Sequence, residues 1–298
     1  MTRTRRSATP ACRWMGLWGL AVLAAPGMAV AQRPADLFVE RTATVVAGSR
    51  CRLFTTQVAA ALAASAQQAR GAALRAGSDQ KALKALEDDA RYRASRLDCK
   101  SPQVMNAATR VREAFSNYER ITRLTYPGDV ADWRADRGSG HAARWRLAQD
   151  SRFGADRMTF GLAGWDGANG LISVATFADG QTPYAARLVL RDATRTSGPY
   201  LNATGKTGSL VQKLPPRTAT RAYLAEARSP AGPDLLPKDI PTGWAFRFPA
   251  PAAQALAELD PREAVAVEFL FPGERVRTAY VEVGDFAAGR AFLQLVSR

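Results

Sequence analysis

The chain has 298 residues, with 41 lysines and arginines against 27 acids and a formal net charge of +14. A single histidine excludes zinc sites of the usual multi-histidine kind. Thirty-five of the cations are arginines. They are dispersed among acids, never five in a row, and read as the codon bias of a GC-rich bacterial genome, so no nucleic-acid partner is expected.

Residues 1–31 have the three-part form of an export signal. Arg3, Arg5, Arg6 and Arg13 open it, Trp14 to Ala25 are apolar, and Ala29-Val30-Ala31 offers a cleavage site before Gln32. The apolar centre is shorter than the ~20 residues that span a bilayer, and Pro26-Gly27 interrupts the remainder, so no transmembrane anchor is expected after cleavage. The sequence therefore predicts a periplasmic or secreted protein cut between Ala31 and Gln32. Removal of four arginines and no acid leaves 37 basic and 27 acidic side chains, a net +10.

Residues 32–128 read as a helical region. Between Asp36 and Ala47 the pattern fits strand and helix equally. Leu53, Phe54, Val58, Ala61, Leu62 and Ala69 then recur at helical spacing, Gly77-Ser78 breaks the pattern, and Leu83, Leu86, Ala90, Ala94 and Leu97 resume it. Cys51 lies 26 residues before Gly77 and Cys99 lies 22 after it. At ~1.5 Å per residue an antiparallel hairpin brings the two thiols together, and an oxidising compartment predicts a disulfide. Ser101 and Pro102 announce a third helix running to Tyr126-Pro127-Gly128. Its stripe of Val104, Ala108, Val111, Phe115, Tyr118 and Ile121 is expected to pack on the hairpin, giving a three-helix unit, with a partner-binding surface as the alternative reading.

From residue 129 to 298 the chain reads as a β-rich domain. Period-two patterns begin at Trp133 and recur at 144–147, 158–162, 171–177 and 186–190, with a hairpin loop over Gly164 to Gly170. Six prolines between Thr204 and Thr242 predict a long irregular loop over 204–242. With the C-terminal strands this amounts to roughly six to eight strands, a sandwich or half-open barrel. The fold class expected is thus α+β, mostly antiparallel, with two short C-terminal helices.

The chemical motifs are weak. His141 and Ser139 have no nucleophile elbow; Ser78-Asp79-Gln80-Lys81 and Lys206-Thr207-Gly208 match two short β-lactamase signatures but lack the third. Gly205-Lys206-Thr207 lacks the earlier glycine of a phosphate loop, and Asp166 and Asn169 lack calcium-loop spacing. No catalytic residue, metal or cofactor is expected.

The C-terminal stretch is the most self-consistent. Trp244, Phe246 and Phe248 alternate up to Pro249, and a short helix runs from Pro251 through Leu256 and Leu259. Val265 to Phe271 and Ala279 to Val283 form a hairpin about Pro272-Gly273, and Gly284-Asp285 starts a closing helix carrying Phe286, Gly289, Phe292, Leu293 and Val296. The run Trp244 to Leu295, closing on Val283-Gly284-Asp285-Phe286-Ala287-Ala288, resembles the C-terminal part of exported bacterial proteins of the invasion-associated locus B kind, and the mature chain as a whole is similar to exported proteins of Gram-negative bacteria. The resemblance implies a non-enzymatic exported β-domain.

The function expected is a non-catalytic envelope module whose partner is an anionic envelope component or another envelope protein. Trp133, Arg134, Arg144, Trp145 and Arg146, at the junction of the helical and β parts, are the candidate binding residues. A carboxylate-based hydrolase of cell-wall polymer is the alternative, and it needs two acids facing one cleft.

Overall fold

The computed structural model describes residues 33–140, 143–165, 168–201 and 209–294. The export signal with its cleavage site, His141, Lys206-Thr207-Gly208, Asp166 and Val296 lie outside the described residues.

Helix α1, Pro34–Arg50, settles the stretch that local pattern left undecided. Its β-branched residues favour a strand, but Pro34 at the first turn and Asp36 beside the free N–H groups start a helix. Tertiary contact then holds it, because Phe38 inserts among Ala69, Ala73, Leu74 and Leu83. Helices α2 (Thr56–Arg75) and α3 (Gln80–Ser95) come next, capped by Thr55 and by the Asp79 carboxylate, which accepts from Ala82 N at 2.8 Å. The hairpin therefore forms where the periodicity placed it, but α2 and α3 pack mainly on α1, which lies against both. Cys51, at the C-cap of α1, is bonded to Cys99, with Cα atoms 5.5 Å apart.

Helix α4, Pro102–Tyr118, contacts both α1 and α2, so the helical part has four helices rather than three. It also stops earlier than its apolar stripe. The buried Arg137 guanidinium donates to the Tyr118, Glu119 and Ile121 carbonyls and so satisfies the end of the helix. Arg123–Tyr126 then becomes strand β1, paired antiparallel with β2, Trp133–Asp136. The helical region accordingly ends before residue 123, and strand structure begins inside the span expected to be helical.

Among the described residues the β part holds eleven strands in two antiparallel sheets, more than the six to eight counted from pattern. The remaining strands are β3 (Arg144–Phe153), β4 (Asp156–Trp165), β5 (Ala168–Thr176), β6 (Ala185–Arg191), β7 (Thr220–Leu224), β8 (Ala227–Pro230), β9 (Trp244–Arg247), β10 (Ala264–Phe271) and β11 (Arg275–Glu282). One sheet has the order β1-β2-β3-β4-β5-β9-β8 and the other β11-β10-β6-β7. The expected irregular loop over 204–242 is corrected: it contributes β7 to one sheet and β8 to the edge of the other. Pro230 is tolerated because it ends that edge strand, where a missing N–H disrupts no central ladder.

The two sheets face each other across one core. Phe160, Phe246 and Leu147 from the larger sheet meet Val267, Phe269 and Phe271 from the smaller, and helices α5 (Ala250–Ala257) and α6 (Phe286–Leu293) add Leu256, Phe286 and Phe292. Each buried aromatic or leucine contributes about 1.5–3 kcal/mol of transfer free energy. The helical and β parts belong to one unit, Gln32–Arg298.

Three polar anchors gather at the end of β11, two within the β part and one reaching the helical part. The Glu282 carboxylate, fully buried, accepts from the backbone N–H groups of Asp129, Val130 and Ala131 at 2.7–3.0 Å. The second is the Trp133 indole N–H, which donates to the Glu282 and Val283 carbonyls. The third is Asp285, which stands at the N-cap position of α6 but makes no capping bond; its carboxylate faces Arg75 of α2 instead.

Candidate functional site

The five candidate binding residues do not make one surface. Trp133 is wholly buried in the shared core. Arg134 is exposed and paired with Asp150 at 2.7 Å. A register shift in β3 between Trp145 and Leu147 breaks the alternation, so Leu147 joins the main core while Trp145 packs on the outer face of the larger sheet with Leu235 and Leu236. The Trp145 indole N–H donates to the Leu235 carbonyl at 3.0 Å. Arg146 is buried and donates to the Gly138 carbonyl at 2.5 Å. Arg144 lies half-buried over Gly138 and Gly140, and its Nε and Nη2 have no hydrogen-bond partner among the described residues. Of the five, Arg134 alone stands exposed to solvent.

The helical part offers a larger feature. Helices α1, α2 and α4 enclose a groove of about 400 Å³, floored by Tyr126 of β1. That volume lies within the ~300–1,000 Å³ typical of small-molecule sites. Burial along α4 falls off toward its C-terminal half, where the groove opens. Val104 and Ala108 are buried, whereas Val111, Phe115 and Tyr118 of the same stripe are only half-buried and line the opening. The stripe expected to be core is therefore divided between core and groove wall.

Opposite them stand Leu37 of α1 and Val58 and Leu62 of α2. The cations are Arg41 of α1 and Arg110 of α4, with Glu40 as the one acid in the lining. Arg41 is half-buried and donates one Nη1 bond to the Ser65 carbonyl at 2.8 Å. Burial lowers its pKa, and the nearby Glu40 charge offsets this only in part. At the floor, burial raises the pKa of both Tyr118 and Tyr126, so both phenols stay neutral at ordinary pH.

No family model, curated protein or solved structure matches this chain.

A second, smaller pocket of about 210 Å³ lies beside β3, β4 and β5 and is lined by Asp150, Arg152, Arg157, Thr159 and Ile240 among others. Its one carboxylate, Asp150, accepts from Arg134 and from the Thr159 hydroxyl. Each pocket thus presents a single acid, Glu40 or Asp150. Among the described residues no three or more of His, Cys, Asp and Glu gather as a metal set, and no helix is long and apolar enough to cross a membrane. Ser78 lies in the α2–α3 turn, where its N–H donates to the Ala73 carbonyl, and Lys81 projects from the exposed face of α3.

Sequence reasoning missed Leu37 and Arg41, because their segment had no assigned structure, and it took Val111 and Phe115 for core. One signal was available. The α4 stripe covers nearly the whole helix, more apolar length than one crossing of two helices buries.

Proposed function

We propose that this chain is exported to the bacterial envelope and acts there as a non-catalytic binding module whose partner is an anionic envelope component. The observation that carries the reading is the groove between α1, α2 and α4, an apolar recess with two arginines and one acid in its lining. A cavity with apolar walls and a few convergent polar groups is the usual form of a binding site. The presence of one carboxylate in each pocket favours binding over the two-acid chemistry of a hydrolase.

The compartment rests on the basic, apolar and small-residue order of residues 1–31 and on the Cys51–Cys99 disulfide, a bond that persists in oxidising surroundings. A net +10 on the cleaved chain suits a compartment rich in phosphates and carboxylates. The resemblance of the C-terminal stretch to proteins of the invasion-associated locus B kind belongs to the same proposal.

Intact-mass measurement on a periplasmic extract tests export. The expected species begins at Gln32 and carries one disulfide. Recovery from the cytoplasm alone, or with Met1 retained, contradicts it.

A further inference from the structure

We propose that the groove between α1, α2 and α4 binds a single-chain amphiphile, its acyl body against Leu37, Val58, Leu62, Val111 and Phe115 and its anionic head at Arg41. The inference rests on the envelope-binding reading and names the ligand class. The apolar part of the wall decides the body: Leu37, Val58, Leu62, Val111 and Phe115 are aliphatic or aromatic, and Tyr118, half-buried, and Tyr126, buried, keep their phenols neutral.

The volume excludes larger occupants. An α-helix with its side chains is ~10–12 Å across, and two turns of it exceed what about 400 Å³ can hold. One flexible chain fits where a peptide helix does not.

Charge decides the head. A guanidinium presents five N–H donors in a fixed plane, and the bond from Arg41 Nη1 to the Ser65 carbonyl fixes this side chain at the groove wall. A carboxylate or phosphate arriving with the chain gives this partly desolvated cation a further, charged partner beside the Ser65 carbonyl, in the charge-assisted geometry that favours arginine. Arg110 on α4 adds a second positive charge in the lining, against the single Glu40. A cationic head meets net repulsion, and a neutral one leaves Arg41 as it is.

The carboxylate of a fatty acid and the phosphate of a lysophospholipid share this chemistry, so the test uses both. Calorimetric titration of the purified mature chain with laurate, dodecyl phosphate, dodecyltrimethylammonium and dodecyl maltoside, all below their micellar concentrations, compares the heads on one tail. Saturable one-to-one binding of either or both anions, with no saturable binding of the cation, is expected, and the tighter anion identifies the source. Arg41→Gln should weaken the anions by about tenfold, and Arg41→Lys should recover part of the loss. Ala114→Trp, at an exposed position in the lining, should block every amphiphile while leaving the circular-dichroism melt unchanged. Equal binding of cation and anion, or anion binding indifferent to both Arg41→Gln and Ala114→Trp, overturns the proposal. Absence of any amphiphile binding in a chain that still adheres to envelope fragments overturns the ligand and leaves the envelope reading standing.

Discussion

Arg75, in the last turn of α2, and Asp285, at the start of α6, form a two-point ion pair with Nη1–Oδ1 at 3.0 Å and Nη2–Oδ2 at 2.8 Å across 210 residues of sequence. Their side chains are 13% and 2% exposed. The two ends respond differently to this environment. For Arg75, desolvation pulls the pKa down, but the bonds and charge of Asp285 outweigh it and hold the pKa up. For Asp285, the deeper of the two, burial outweighs Arg75 and raises the pKa above the ordinary carboxylate value.

Breaking this pair from one side should therefore be costly. Arg75→Met leaves a buried unpartnered carboxylate, and a loss of about 3–5 kcal/mol in urea denaturation is expected. Arg75→Met with Asp285→Leu removes both charges and should stay within about 1–2 kcal/mol of the native chain. Because the folded chain holds the Asp285 proton more tightly than the unfolded one, this carboxylate's contribution to stability grows as pH falls from its raised pKa to the ordinary 3.8, and the double variant should lack that component. A single variant as stable as the native chain would show that the pair does not bind the helical part to the β part.

The disulfide should matter through the unfolded state. Cys51 and Cys99 are 48 residues apart, and on the chain-entropy model closing such a loop contributes roughly 4 kcal/mol. Cys51→Ser with Cys99→Ser should lose about that much in chemical denaturation, and reductant should have no further effect on the variant. A loss below about 1 kcal/mol would mean that α1 alone holds the ends of the hairpin together.

How far the sequence revealed this molecule depended on whether a pattern was local. The hairpin Val265 to Val283 was legible because alternation and the Pro272-Gly273 turn agree, and β10 and β11 pair there in full register. The register shift after Trp145 was not, since it depends on the partner strand: Gly161 of β4 lies so close that a Cβ there would stand 1.9 Å from the Leu147 carbonyl. Strand β7 was hidden because Thr220–Leu224 is short and flanked by prolines, and pairing with β6 alone makes it a strand. The groove was hidden for a related reason: whether Val111 and Phe115 meet a neighbour depends on how α4 packs against α1 and α2, which no periodicity records.

One core residue runs against its surroundings. Ser173 of β5 is fully buried, opposite Phe160 and Phe246, and its hydroxyl has no hydrogen-bond partner among the described residues. Removing an unsatisfied buried polar group is nearly neutral or favourable, so Ser173→Ala should raise stability by up to about 1 kcal/mol in urea denaturation. A loss above about 1 kcal/mol would indicate that the hydroxyl has a partner after all.

The central claim is a basic exported chain that holds an anionic envelope component, and the most direct test is its retention on purified envelope fragments across a salt series. Electrostatic holding must weaken as the Debye length shrinks from ~10 Å at 0.1 M salt to ~3 Å at 1 M. Strong retention at low salt, steep loss across that range, and reduced retention of Arg41→Gln at intermediate salt are expected. No retention even at the lowest salt would contradict the claim.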